Sequence, residues 1–283
     1  MSHLAIAGLQ LELAVEDNLA LIEREIDLVK QRFPWIQMVV LPELCIFGTG
    51  TELAVKLPGE VEKCLQESAR KNDVWLIPGS ILEKCDGNVY NTAPVINPAG
   101  EVVARYRKHY PFLPYEKGVT AGDQFVVFDV PGAGRLGLII CYDMWYPEMV
   151  RQLAWMGAEA IIVPTLTNTN DRQIELSIAQ TNAAISQVYM VNINSAGRLA
   201  YGRSIIVGPD GTVLHQASSS REIIIAELDF DHVRRVRERG MYGGLAQPLK
   251  SFRDSKLVYP VYQEGAGPGA FADFGDLEVP VKN

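Results

Sequence analysis

Two rhythms alternate along this chain. Short apolar runs with strand character are separated by longer stretches whose apolar residues recur at helical spacing. Residues 4–11 predict a first strand. Asp17 then opens a helix through Lys30, with Leu19, Ile22, Ile26 and Val29 as its buried stripe. Residues 35–41 predict a second strand, 61–72 a second helix, and 74–82 a third strand. Asp86-Gly87-Asn88 is a hairpin signal leading into a strand over 89–97, and the Pro98-Ala-Gly100 turn returns the chain along 101–107.

The order then repeats. Residues 125–130 and 135–140 predict strands around Gly132-Ala-Gly134, and a helix runs over 147–155. Pro147 suits its first turn, where an N–H has no intrahelical acceptor to lose. A strand over 160–163, a helix over 172–186 and a strand over 188–194 follow; 204–208, 212–216 and 222–228 predict a meander, and 231–239 a last helix. Residues 240–283, rich in Gly and Pro, are expected to form an extended tail at a subunit interface. No linker divides the chain, so a single domain over 1–283 is expected. Two like halves with apolar strands need both sheet faces covered, which predicts an α/β fold of two sheets packed together with helices outside.

Composition narrows the function. The 283 residues are 48% hydrophobic and 21% charged, enough for a substantial core. Net charge is −8, and the one basic cluster, Arg234-Arg-Val-Arg237, reads as a solvated helix face beside Glu238. That argues against a nucleic-acid partner, whose phosphates need clustered cations. No apolar run reaches the roughly 20 residues of a membrane span, and the start of the chain lacks the basic region of a signal peptide. Cys45, Cys64, Cys85 and Cys141 show no CxxC pairing, so free thiols and a cytoplasmic setting are expected.

Three reactive residues stand at strand ends, where open α/β sheets bind ligands. Cys141 follows the apolar run 136–140, Glu43 follows 38–41 and Pro42, and Lys108 closes 101–106. A thiol nucleophile needs a base. Of His3, His109, His215 and His232, only His109 lies in a suitable loop, which leaves a Cys–His dyad as one alternative. Glu43, in apolar surroundings, is the other base, since partial burial raises a carboxyl pKa. Lys108 would hold charge near a reacting carbonyl. Each residue alone has a plainer reading: an inert buried thiol, a loop carboxylate, a lysine among Arg105, Arg107 and Lys117. Their shared placement favours an active site.

Leu41-Pro-Glu-Leu44, Tyr106-Arg-Lys-His109 and Gly137-Leu-Ile-Ile-Cys-Tyr-Asp-Met-Trp-Tyr-Pro-Glu148 resemble the three signature segments of the nitrilase, or carbon–nitrogen hydrolase, superfamily, and the similarity extends over about 4–230. The resemblance implies a four-layer αββα sandwich. It also implies Glu43 as general base, Lys108 as electrostatic partner and Cys141 as nucleophile, with the Tyr142 backbone N–H joining Lys108 in an oxyanion hole. Glu116, eight residues after Lys108, matches a second glutamate that positions the substrate amide; its plainer role is a loop carboxylate paired with Lys117. The implied chemistry is two-step acyl transfer through a thioester, without metal or organic cofactor, in a homodimer or larger homo-oligomer.

Tyr115, Tyr142, Met144 and Trp145 are expected to line a mostly neutral, partly aromatic pocket. Relatives that recognise a substrate carboxylate carry arginine three or four positions after the nucleophile, where Met144 and Trp145 stand here. N-carbamoyl amino acids and ω-amido acids are therefore disfavoured, unless Arg172 or Arg198 supplies the cation. A small amide or N-carbamoyl compound is the expected substrate. A nitrile is the alternative, and an inactive scaffold or binding protein the non-enzyme reading.

Overall fold

The computed structural model describes residues 2–278. The first half contains β1 (His3–Gln10), β2 (Glu12–Leu13), α1 (Leu19–Arg32), β3 (Met38–Val40), α2 (Glu60–Asn72), β4 (Trp75–Ile77), β5 (Ile81–Cys85), β6 (Asn88–Ile96) and β7 (Val102–Arg107). The second contains β8 (Val126–Val130), β9 (Gly134–Leu138), α3 (Pro147–Trp155), β10 (Ala160–Thr165), α4 (Arg172–Ser186), β11 (Tyr189–Asn194), β12 (Ala196–Gly197), β13 (Ile205–Val207), β14 (Val213–Gln216), β15 (Glu222–Asp229), α5 (Phe230–Arg239) and α6 (Pro248–Asp254).

One sheet has the order β15-β1-β3-β4-β6-β5, with β7 on β6; the other runs β14-β13-β11-β10-β9-β8. Strands β1, β3 and β4 are parallel, as are β9, β10 and β11. Each parallel trio is apolar on both faces, as its burial between another sheet and a helix layer demands. Leu4, Ile6, Met38 and Val40 of the first sheet share one core with Leu136, Leu138 and Ile193 of the second. On the outer face of the first sheet, Ile22, Ile26 and Val29 of α1 and Leu65 of α2 pack on Leu9, Val39 and Leu76. Leu153 of α3 and Leu176 of α4 belong to the core of the second. The result is the four-layer αββα sandwich. At Gly8 the sheets approach so closely that an added Cβ would stand 2.3 Å from Ile193 Cδ1.

Two expectations need correction. Residues 74–82 are not one strand: β4 ends at Ile77 and β5 starts at Ile81. Pro78 has no N–H for a ladder. Gly79, at φ 74°, passes so near Pro42 O that a Cβ would lie 1.7 Å from it. The expected meander is also incomplete. Strand β14 pairs with β13, but β15 crosses to the other sheet and pairs with β1 along its whole length, from His3↔Asp229 to Gln10↔Glu222. Ile224 and Leu228 of β15 enter the inter-sheet core while Ile223 and Ile225 pack on the opposite side. A strand apolar on both faces needs the covered position beside β1, which the largely exposed β14 does not offer.

The segment from residue 240 is mostly exposed. Phe252 meets the Trp155 ring edge-on at 5.8 Å and lies beneath Arg151, and the Tyr262 hydroxyl donates to Glu148. Residues 279–283 of the expected tail lie outside the described residues. No helix among the described residues is long and apolar enough to cross a membrane.

Candidate active site

The ends of β3, β7, β9 and β10 meet over one cavity. Glu43 follows β3 in a turn pinned from both sheets. Its own N–H donates to Thr165 O of β10 at 3.3 Å, and the next residue, Leu44 at φ 48°, donates to Ser80 Oγ at 3.1 Å. Lys108 follows β7; its N–H donates to Asn91 O at 2.9 Å, and its carbonyl accepts from Gly122 N at 2.8 Å. Both side chains are almost wholly buried. Lys108 Nζ donates to Glu43 Oε1 and to Glu116 Oε2, each at 2.8 Å. Glu116 Oε2 also accepts from the Phe112 N–H.

Asn91 of β6 stands between the two carboxylates. Its Nδ2 donates to Glu43 Oε1 at 2.8 Å and to Glu116 Oε1 at 3.2 Å. Two donors thus crowd one oxygen of Glu43, leaving Oε2 for a proton. One ammonium serves two carboxylates. Burial pushes the Glu43 carboxyl up, Lys108 opposes this, and the neighbouring Glu116 adds to it. Burial alone would disfavour the Lys108 charge, but Glu43, Cys141 and Glu116 outweigh it and hold the amine well above its ordinary value.

Cys141 begins a short 3₁₀ turn, Cys141–Trp145, directly beyond β9. Its φ of 47° is a left-handed conformation that a side chain occupies at a cost of about 1 kcal/mol or more. Asp143 holds the turn in place: its carboxylate accepts from Ile140 N at 2.9 Å, Tyr106 Oη at 2.7 Å and Tyr110 N at 2.8 Å. Those bonds tie the turn that begins at Cys141 to the loop that carries Lys108. Burial pushes Asp143 up to about 6, against the stabilising bonds it accepts. The Cys141 thiol is likewise raised, by burial first and then by Glu43, with Lys108 acting the other way. Cys45 is buried without a cation to offset that cost, which marks it as inert.

The cavity encloses about 590 Å³ and reaches Glu43, Lys108, Glu116 and Cys141 at one end. Residues 3–238 match the carbon–nitrogen hydrolase family. The chain belongs to that family. The mouse omega-amidase NIT2 is 30% identical over 257 residues, spanning 84% of this chain and 92% of its own length. Yeast Nit3, a member of branch 10 of the nitrilase superfamily, superposes with a TM-score of 0.76 at 28% identity, over 84% of this chain and 94% of its own. An amidase from Nesterenkonia gives 0.74 at 26% identity, over 84% and 94%. One variant of that amidase carries the acetamide moiety of fluoroacetamide on its active-site cysteine.

In this carbon–nitrogen hydrolase Glu43, Lys108, Glu116 and Cys141 converge, while other expected positions divide. Glu116 binds Lys108 and not Lys117. Tyr115, Tyr142 and Trp145 line the cavity, with Tyr115 stacked on Phe112 at 5.1 Å. Met144 does not: it is fully buried beneath the turn, its Sδ 3.8 Å from Asn192 Nδ2. The 3₁₀ turn points Cys141, Tyr142 and Trp145 at the cavity and turns Asp143 and Met144 to its inner face. Arg172 is buried and committed to Glu175, Asn192 and the carbonyls of Gly202 and Arg203. Arg198 is exposed and outside the cavity. His109 packs between Tyr106 at 5.3 Å and Phe125 at 4.9 Å and is absent from the cavity wall, so no Cys–His dyad forms.

Sequence reasoning missed Asn91, Asp143, Thr167 and Glu175 of this enzyme family member. Asn91 had a signal, an amide inside an otherwise strand-forming run. Thr167 stands two residues beyond β10, where the same strand-end logic applies. Glu175 and Arg172 lie three apart on the buried stripe of α4, an ionic pair where apolar residues are the rule.

Proposed function

We propose that this chain is a cysteine-dependent hydrolase of small amides or N-carbamoyl compounds that carry no anionic group. The observation that carries the reading is the meeting of a thiol, an ammonium and two carboxylates on one wall of a cavity of about 590 Å³. Cys141 Sγ attacks the substrate carbonyl as its proton passes to Glu43, whose Oε2 is left free by Lys108 and Asn91. Lys108 and the Tyr142 N–H, in the first turn of its short helix, take the developing oxyanion. Glu116 accepts an N–H of the substrate amide. The proton on Glu43 goes to the leaving ammonia or amine. Water, deprotonated by Glu43, then cleaves the thioester and restores the thiol.

The wall charges support the restriction on the acyl group. Lys108 is the one cation of the cavity lining among the described residues, and Glu43 and Glu116 already share it; Asp171 adds further negative charge, while Glu175 is matched by Arg172. A substrate carboxylate would meet no unpaired cation there. In this the chain is read as departing from the relatives that bear the omega-amidase name. The exposed Leu257, Tyr259 and Phe274 of the C-terminal segment support self-association as its role.

Ammonia release from uncharged primary amides, N-carbamoyl amines, ω-amido acids and nitriles tests the reading, with Cys141→Ala as blank. Uncharged amides or carbamoyl amines are expected to turn over, with ω-amido acids about 100-fold poorer in kcat/KM. A preference for ω-amido acids would overturn the substrate assignment, and turnover by Cys141→Ala the mechanism.

A further inference from the structure

Linked to Cys141 through Thr167 stands a second polar group that the reaction above does not use. Glu175 of α4 is 3% exposed and accepts three side-chain bonds. Arg172 Nη1 donates to Oε2 at 2.9 Å, Thr167 Oγ1 donates to the same oxygen at 2.7 Å, and Trp145 Nε1 donates to Oε1 at 3.3 Å. Thr167 Oγ1 is in turn 3.9 Å from Cys141 Sγ, as is the carbonyl of Leu166. The Thr167 backbone cannot drift, because its N–H donates to Asn194 Oδ1 at 3.0 Å and its carbonyl accepts from Asn194 Nδ2 at 3.2 Å.

Thr167 has one hydroxyl proton and two places to send it. A charge-assisted bond of 2.7 Å to a carboxylate outweighs a contact of 3.9 Å to sulfur. We propose that Glu175 is a positioning residue that accepts the Thr167 hydroxyl hydrogen bond, so that the oxygen of Thr167 and not its hydrogen faces the Cys141 thiol. The inference rests on Cys141 being the nucleophile. Two acceptors, Thr167 Oγ1 and Leu166 O, then border the sulfur on this side. Neither offers a hydrogen to a thiolate. The resting sulfur stays protonated, and the anion arises only when Glu43 removes the proton during attack. Trp145 is fixed by the same carboxylate as a rigid part of the cavity wall.

The charged groups facing the sulfur are Glu43, Lys108 and Glu116 from the first sheet and Glu175 with Arg172 from α4. Glu43, Lys108 and Glu116 stay unchanged in every variant below, so differences between variants report the Glu175 side.

The test is the pH profile of alkylation by iodoacetamide, read by mass spectrometry on the peptide containing Cys141 because Cys64 and Cys85 are partly exposed. In Glu175→Gln the carboxamide can donate to Thr167 Oγ1, turning its hydroxyl toward sulfur. The midpoint is expected to fall by about one pH unit or more, with kcat at neutral pH lowered about tenfold and KM changed less than about threefold. Glu175→Gln leaves Arg172 unpaired and is at risk of misfolding. Arg172→Gln/Glu175→Gln removes both charges and is expected to keep the same direction of shift. Thr167→Val has no hydroxyl to turn, so adding Glu175→Gln to it is expected to move the midpoint no further.

An unchanged midpoint in the folded Arg172→Gln/Glu175→Gln enzyme overturns the proposal. So does a full shift that persists in the Thr167→Val background, since charge alone would then account for it. Turnover that survives complete alkylation of Cys141 would instead sink the nucleophile assignment, while the profile still judges Glu175.

Discussion

The two sheets deliver their charges to Cys141 in opposite ways. From the first sheet and the loop after it come two carboxylates and one ammonium, so Glu43 and Glu116 compete for Lys108. From the second come one carboxylate and one guanidinium, with Thr167 and Trp145 also donating to Glu175 and three further acceptors on Arg172. The first cluster carries a surplus negative charge that a proton relieves. The second is balanced, so a proton relieves nothing there. Proton traffic therefore belongs to the Glu43 side, and rigid placement to the Glu175 side.

Exchanging the two cations separates these roles most sharply. Lys108→Met is expected to lower kcat/KM about a thousandfold, because it removes the proposed oxyanion partner and the counter-charge of the proposed base. Its stability should also become pH-dependent. With the ammonium gone, nothing opposes the burial that raises the Glu43 carboxyl; it binds its proton more tightly folded than unfolded, so the variant loses stability as pH rises from 5 to 8. Urea unfolding at the two pH values reads this, and a variant equally stable at both would show that Lys108 does not hold the Glu43 charge. Arg172→Met is expected to cost about 3 kcal/mol of stability, since it strands Glu175 in the core. If Arg172→Met instead unfolds like the wild type, the second cluster is not the rigid support described.

The smallest change falls within the first cluster. Glu116→Gln should lose about 30-fold in kcat/KM on amides, close to 2 kcal/mol, and only a few-fold on nitriles, which have no N–H for it to accept. Equal losses on both would remove its positioning role.

Much of this site is legible because strand ends advertise themselves. Cys141, Glu43 and Lys108 each follow an apolar run, and the observed β9, β3 and β7 end within two residues of those runs' ends. The helices follow from amphipathic stripes; α4 spans Arg172–Ser186, the range its spacing predicts. What escapes is anything decided by a partner distant in sequence. Strand β15 reads like the third strand of a meander, and only the covered place beside β1 moves it to the other sheet. Met144 sits among pocket residues in sequence, but a 3₁₀ turn sends it to the core. Asn91 bridges Glu43 and Glu116 across separations that no local pattern records.

The pairing of β1 with β15 makes the molecule a loop closed late. His3 lies opposite Asp229 and Gln10 opposite Glu222, so on the ribosome β1 waits for a strand made much later. Until then the β1 edge is an open template for foreign strands. Closing so long a loop is slow as well as entropically costly. The nascent protein is therefore most exposed to aggregation just before residues 222–229 emerge, and truncations ending short of them should be far less soluble than those that retain them.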